Sequence, residues 1–239
     1  MSGSVQIVIG FGEVGQAIGS LLNEAGHFVY TLDPFINHEN LPEGDEPIKA
    51  IHICFPYSGS FESSVRTYRN IFRPEMVIVH STVKPGTCDA NDWVHSPVQG
   101  KHPGMAENIK RFIKWFGGKQ CVEASELFPQ LKSELFDKAI VCELAKVLDT
   151  TRYGWEIVWA REAQLLAEQF GVSTYIVNDL WTIDYNAGYR DTRYPRSLLI
   201  PKTGPIGGHC VIPNLKLLDD WWVADLISAL NDVRYKEEA

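Results

Sequence analysis

The chain reads as an α/β protein: a doubly wound parallel sheet in residues 1–140, followed by a mostly helical domain in residues 141–239. Three observations predict this. Short apolar runs alternate with helical patterns through the first half, as in a parallel sheet covered on both faces. The first apolar run closes, and the first helical pattern opens, on the sequence Gly10-Phe11-Gly12-Glu13-Val14-Gly15. After about residue 120 the alternation gives way to long helical patterns.

The elements follow in order. Val5 to Gly10 is a buried-strand run. Glu13 to Ala25 is helical, with apolar or small residues at Val14, Ala17, Ile18, Leu21 and Leu22, and Gly26 stands where a left-handed cap is expected. His27 to Leu32 is the second strand, ended by Asp33-Pro34, and the polar residues 35–47 form an irregular crossover. Further strands are expected at Ile48–Phe55, Met76–Ser81 and Asp92–His95, with a helix near Ser60–Ile71. Glu143 to Phe170 is one long helical pattern and Ser173 to Ala187 a second. A Gly/Pro-rich loop at Pro201–Pro213 precedes a last helix from Leu215 to Tyr235.

Composition narrows the function classes. Acidic side chains outnumber basic ones 30 to 22, a net charge of −8, which argues against a phosphate backbone as partner. No charged and apolar leader precedes the first strand, and no stretch reaches the roughly 20 apolar residues needed to span a bilayer. The five cysteines (Cys54, Cys88, Cys121, Cys142, Cys210) are odd in number and lack CxxC spacing. They are therefore read as reduced thiols of a cytoplasmic protein, without disulfides or a metal site.

The glycine motif carries the first chemical expectation. Gly10 permits a tight turn, Gly12 lets a pyrophosphate approach the backbone, and Gly15 lets helix and strand pack closely. The helix N-terminus then offers unpaired N–H groups to the phosphates. Asp33, at the end of the second strand, is placed to accept hydrogen bonds from the adenosine ribose and would repel a 2′-phosphate. The expected fold is thus Rossmann-type and the expected cofactor NAD, held by Gly10, Phe11, Gly12, Glu13, Val14, Gly15, Asp33 and Pro34.

Four later segments, in order, resemble the UDP-glucose/GDP-mannose dehydrogenase family. They are Ser81-Thr82-Val83-Lys84-Pro85-Gly86-Thr87, Glu143-Leu144-Ala145-Lys146, Tyr194-Pro195-Arg196, and Gly204-Pro205-Ile206-Gly207-Gly208-His209-Cys210. The Gly-Gly-His-Cys loop resembles the UDP-N-acetylhexosamine 6-dehydrogenase branch most. The resemblance implies oxidation of a primary alcohol, possibly of a sugar derivative or nucleotide sugar, to a carboxylate with two NAD. Cys210 would form a thiohemiacetal and then a thioester, Lys146 would stabilise the alkoxide, and Thr82 would help to hold a water. Ser81 and Thr82 would border the cofactor. Gly207, Gly208, His209 and Arg196 would meet the substrate, Arg196 alternatively a neighbouring protomer. The resemblance also implies a homodimer through the last helix, where Trp221, Trp222, Leu226, Ile227 and Leu230 form an apolar stripe; packing of that stripe on its own core is the other reading.

Departures from the pattern open two alternatives. Val98-Gln99 stands where the family has a glutamate after Ser96-Pro97, Thr150 where it has Asn, and Asn214 where it has Asp. The chain also ends where the family continues into a second nucleotide-binding domain, so a truncated relative is expected. A two-electron alcohol dehydrogenase with Cys210 merely lining the pocket is one alternative. A non-catalytic NAD-binding protein or subunit is the other. His95, His102 and His209 are read as structural rather than pocket groups, and the seven tryptophans as core or interface anchors.

Overall fold

A computed structural model describes residues 3–33, 46–100, 103–200, 204–207 and 210–234. The chain divides into two compact units, Met1–Lys146 and Val147–Ala239. The division falls inside one 31-residue helix, α5 (Ala139–Gln169).

The first unit is a seven-stranded sheet in the order β2-β1-β3-β4-β5-β6-β7. Its strands are β1 (Val5–Ile9), β2 (Phe28–Leu32), β3 (Ile48–Ile53), β4 (Met76–Val79), β5 (Val94–His95), β6 (Lys114–Gly117) and β7 (Ser133–Phe136). Every pairing is parallel except that of β5 with β6, which meet antiparallel at His95 and Gly117. The helices of this unit are α1 (Glu13–Glu24), α2 (Phe61–Phe72), α3 (Met105–Ile109), α4 (Cys121–Glu126) and the start of α5. This is the doubly wound α/β fold that the alternation predicts.

Side chains alternate across the sheet and set its two cores. Val8, Ala50, Ile78, Val94 and Phe116 face α1, α3 and α4, where Ile18, Leu21, Leu22, Ile109 and Ala124 close the layer. Ile7, Ile9, Ile51, Ile53, Val77 and Val79 face the other way, against Phe61 and Val65 of α2 and Ala139 of α5. A fully buried Leu or Ile contributes about 1.5–3 kcal/mol, so both layers are needed to offset the ordering of the chain. Helix α1 stops as expected: Gly26 takes φ +85°, its N–H donates to Asn23 O at 2.9 Å, and His27 N–H reaches back to Leu22 O at 3.1 Å. The N-terminus of α5 is capped from outside, Asp89 accepting from the N–H groups of Ala139 and Ile140 at 2.9 and 3.1 Å.

The second unit holds the rest of α5, a wide-turned helical segment at Tyr175–Leu180, α6 (Trp181–Gly188), α7 (Val211–Leu215), α8 (Trp222–Ala229) and a second wide-turned segment at Leu230–Arg234. Val158, Val211, Leu215, Ala224 and Ile227 form its core. Two expectations are corrected here. The helix expected at Leu215–Tyr235 is interrupted, because Asp220 takes φ +55° and Trp221 is extended. The loop expected through Pro213 already contains α7, with Pro213 in its first turn, where no backbone donor is lost. No helix among the described residues is long and apolar enough to cross a membrane.

Candidate cofactor and catalytic site

The three glycines of the β1–α1 turn have different reasons to be there. Gly10 sits at φ +87°, and a Cβ on it would meet Phe55 N at 2.8 Å. A Cβ on Gly15 would fall 1.9 Å from the Gly10 carbonyl oxygen, so only glycine lets α1 approach the end of β1. Gly12 has negative φ, and a Cβ there would meet nothing within 4 Å. The fold itself makes no demand for glycine at position 12; open space stands in front of it.

The same turn is tied to the end of β2. Gly10 N–H donates to Leu32 O at 2.8 Å, and Phe11 N–H donates to Asp33 Oδ2 at 2.7 Å. Asp33, Gly10–Gly15 and the first turn of α1 therefore form one fixed constellation. Pro34 lies outside the described residues.

The carboxyl ends of β3, β4 and β5 gather the next set. Ser81 Oγ donates to Phe55 O at 2.6 Å, which commits its proton to bracing the ends of β3 and β4. His95 Nε2 donates to Ser81 O at 3.1 Å. Thr82, beside it, is half-buried. The loop that follows is held from α5: Glu143 accepts from Gly86 N–H at 2.6 Å and from Cys88 N–H at 2.8 Å while fully buried. Burial raises the Glu143 pKa, and the two amide donors work in the opposite direction. Lys146, half-buried and nearly one turn further along α5, is close enough for its charge to depress His95. The first unit thus ties Ser81 to Phe55 and His95 and holds the Gly86–Cys88 loop on the buried carboxylate of Glu143, a bracing role that the sequence motif contains without revealing.

Three buried histidines line this region. His52 Nδ1 lies 3.0 Å from His80 Nε2, their rings stacked 5.3 Å apart, and His52 Nε2 lies 3.0 Å from Gln6 Oε1. His80 Nδ1 must be a donor, because its partner at 2.8 Å is the Ser96 carbonyl. Burial pulls His52 and His95 down to about 3, and His80 well below its usual value, so all three rings are neutral. Neutral rings require His52 to donate to His80, and hence the Gln6 amide to turn its nitrogen, not its oxygen, toward His52. Burial likewise pushes the Cys54 and Cys142 thiols to about 12 and Cys88 upward, which leaves these three as inert thiols.

Within the second unit, Cys210 is exposed and immediately precedes α7. Val211 packs so closely on α5 that a Cβ on Gly154 would lie 2.7 Å from Val211 Cγ1. Gly154, which the sequence reading did not single out, therefore sets where α7 and Cys210 sit. Two departures from the family pattern meet each other: Asn214 Nδ2 donates to Thr150 Oγ1 at 3.2 Å, both residues buried. They form a neutral pair that carries no charge toward Cys210. The loop before it is held by Arg161, which donates to Gly204 O at 2.6 Å, and by Asn231 Oδ1, which accepts from Ile206 N–H at 2.6 Å. Gly207 is described; Gly208 and His209 lie outside the described residues. Arg196 stacks 3.7 Å over the Tyr185 ring, and the Asn186 side chain brackets its backbone N and O at 2.8 and 2.9 Å.

No protein-family model and no curated protein sequence matches the chain. Solved structures do resemble it. The UDP-D-ManNAc dehydrogenase of Pyrococcus horikoshii is 19% identical with a TM-score of 0.71, over 95% of this chain and 68% of that one. A UDP-glucose dehydrogenase from the hyperthermophilic archaeon Pyrobaculum islandicum is 17% identical with a TM-score of 0.70, over 96% and 68%. The 3-hydroxyisobutyrate dehydrogenase of Mycobacterium tuberculosis is 17% identical with a TM-score of 0.67, over 99% and 97%. At these identities the likeness is one of fold.

The buried histidines make stability depend on pH. Between about pH 3 and 6.5 the unfolded chain protonates His52 and His95 while the folded chain does not, so stability falls as pH falls through that window. The expected loss is about 2 kcal/mol per histidine between pH 6.5 and 5. Urea unfolding at both pH values checks this, and His52→Gln should flatten the dependence. An unchanged slope in that variant would count against a neutral buried His52.

Proposed function

We propose that the chain is an NAD-dependent oxidoreductase acting on an alcohol. The observation that carries this reading is the Gly12 position: open space in front of a glycine that the fold does not require, with the α1 amide ends and Asp33 fixed around it. The Gly10–Gly15 turn would hold the pyrophosphate and Asp33 the ribose hydroxyls, which disfavours a 2′-phosphate and hence NADP. When bound, NAD supplies the hydride acceptor. Lys146 would donate to the substrate oxygen and stabilise its negative charge, and Thr82 would hold a water beside it.

In the fuller form, taken from the sequence resemblance, Cys210 Sγ adds to the aldehyde carbonyl to give a thiohemiacetal. Oxidation of that adduct leaves a thioester, which water cleaves to a carboxylate and the free thiol. Alcohol, water and two NAD thus give carboxylate, two NADH and three protons. A sugar derivative or nucleotide sugar is the substrate class this form implies, with Arg196 and the Gly207–His209 loop meeting it. The second reading is removal of one hydride, with Cys210 only lining the pocket. The match over 97% of a 3-hydroxyisobutyrate dehydrogenase favours it, as does the neutral Thr150–Asn214 pair.

We also propose a cytoplasmic protein, on its free thiols, and a homodimer. On α8, Ala224 and Ile227 turn into the unit's own core while Trp222 is 67% exposed. A second copy covering Trp222 would remove that apolar surface from water. Sedimentation at micromolar concentration should give twice the chain mass, and Trp222→Glu should give the monomer; a monomeric wild type would refute the dimer.

The activity itself is tested by supplying NAD with a panel of sugars, nucleotide sugars and hydroxy acids. Two NADH per alcohol, with loss in Cys210→Ser, identifies the covalent four-electron reaction; one NADH, insensitive to Cys210, identifies the simpler one. Lys146→Ala should slow either reaction about 100-fold or more. Full turnover in that variant would remove Lys146 from the mechanism.

A further inference from the structure

Strand β6 places a lysine where the sheet otherwise presents apolar side chains. Lys114 shares its face with Phe116, alongside Val8, Ala50 and Ile78, and is only 3% exposed. Burying an ammonium group is costly unless its N–H groups are paired. Here Nζ donates to Ser96 O at 2.6 Å and to Pro97 O at 2.8 Å. His80 Nδ1 donates to the same Ser96 oxygen at 2.8 Å, and Ser96 N–H is fixed to Val79 O at 2.8 Å. All these bonds converge on one turn, the residues that leave β5 at its carboxyl end.

That end of the sheet is where open α/β folds meet their ligands. Val98 there packs against the core layer of Val8 and Ile78, but the backbone has few polar partners of its own: Pro97 lacks an N–H, and the Ser96 hydroxyl has no partner among the described residues. Its two carbonyls are held from beneath, by Lys114 and His80. We propose that Lys114 is a positioning residue that fixes the Ser96–Val98 turn at the edge of the dehydrogenase site, acting through two backbone carbonyls rather than through contact with substrate. The functional consequence rests on the oxidoreductase reading above; the structural consequence does not.

The groups around Lys114 show that it is not held for charge balance. Cys54 follows β3, His80 follows β4, His95 lies on β5, Cys142 and Lys146 lie on α5, and His52 reaches His80 from β3. None is a carboxylate. Burial, and the like charge of Lys146, pull Lys114 down to about 7, so it exchanges between ammonium and amine near neutrality. Either form keeps at least two N–H donors for the two carbonyls.

Two variants of the full chain test this. Lys114→Met keeps the apolar stem and removes both donors; Lys114→Gln keeps an amide donor that does not titrate. Amide hydrogen exchange, followed by mass spectrometry, should rise about tenfold in residues 96–100 of the Met variant, the equivalent of roughly one lost hydrogen bond. Exchange in residues 5–15 should stay unchanged, and Gln should restore most of the protection. Unchanged exchange at 96–100 in the Met variant would overturn the proposal. So would a rise throughout the first unit, or failure of both variants to fold, since Lys114 would then support the sheet rather than the turn. NAD titration of wild type separates the two claims: no binding there would sink the oxidoreductase reading and leave the exchange result standing.

Discussion

A Cβ on Gly15 would lie 1.9 Å from the Gly10 carbonyl oxygen, and the first unit is arranged around the absence of that methyl group. Because α1 approaches β1 so closely, its first-turn amides stand directly over the end of the strand. The same approach sets Gly10 N–H on Leu32 O and Phe11 N–H on Asp33, which fixes the acid at the end of β2 relative to the helix terminus. Ile18, Leu21 and Leu22 then lie on the sheet layer formed by Val8, Ala50 and Ile78. Backbone approach, core packing and the candidate anion site are three consequences of one steric permission.

The loops at the carboxyl end of the sheet follow a second logic. Val83, Cys88 and Val98 pack these loops on the core, and buried polar groups hold their backbone as well. Glu143 grips the amides of Gly86 and Cys88; Ser81 bonds Phe55 O; Lys114 and His80 converge on the Ser96 carbonyl. Hydrogen bonds from charged groups to backbone are stronger and more directional than neutral ones. Removing one partner would leave a buried group unpaired, so each such residue fixes a local conformation more firmly than an apolar contact could. The arrangement costs stability at low pH.

The parts visible in the sequence are those set by local chemistry. The glycine spacing, the Gly26 stop and the acid after the second strand each have a short-range cause, and each stands where the pattern puts it. Strands β6 and β7 escape the sequence pattern for opposite reasons. Lys114 breaks the apolar run of β6 at a position that only tertiary pairing with distant carbonyls can satisfy. Edge strand β7 leaves Ser133, Glu134 and Leu135 exposed and so has no buried face to give it a pattern. The last helix reads as continuous in the sequence because Asp219-Asp220 resembles any polar turn of a surface helix, whereas in the fold Asp220 takes a left-handed conformation. Thr150 and Asn214, separate anomalies in the sequence, are a hydrogen-bonded pair that no one-dimensional reading connects. The role of Gly154 is visible only from the helix that packs against it.

Calorimetric titration of the full chain with NAD and with NADP tests whether the Gly10–Gly15 turn and Asp33 form an NAD site. Saturable NAD binding at one site per chain is expected, with NADP weaker by about tenfold or more, equivalent to roughly 1.4 kcal/mol of repulsion at Asp33. Asp33→Ser should narrow that difference. Absence of heat with either nucleotide, or tighter binding of NADP, would contradict an NAD site.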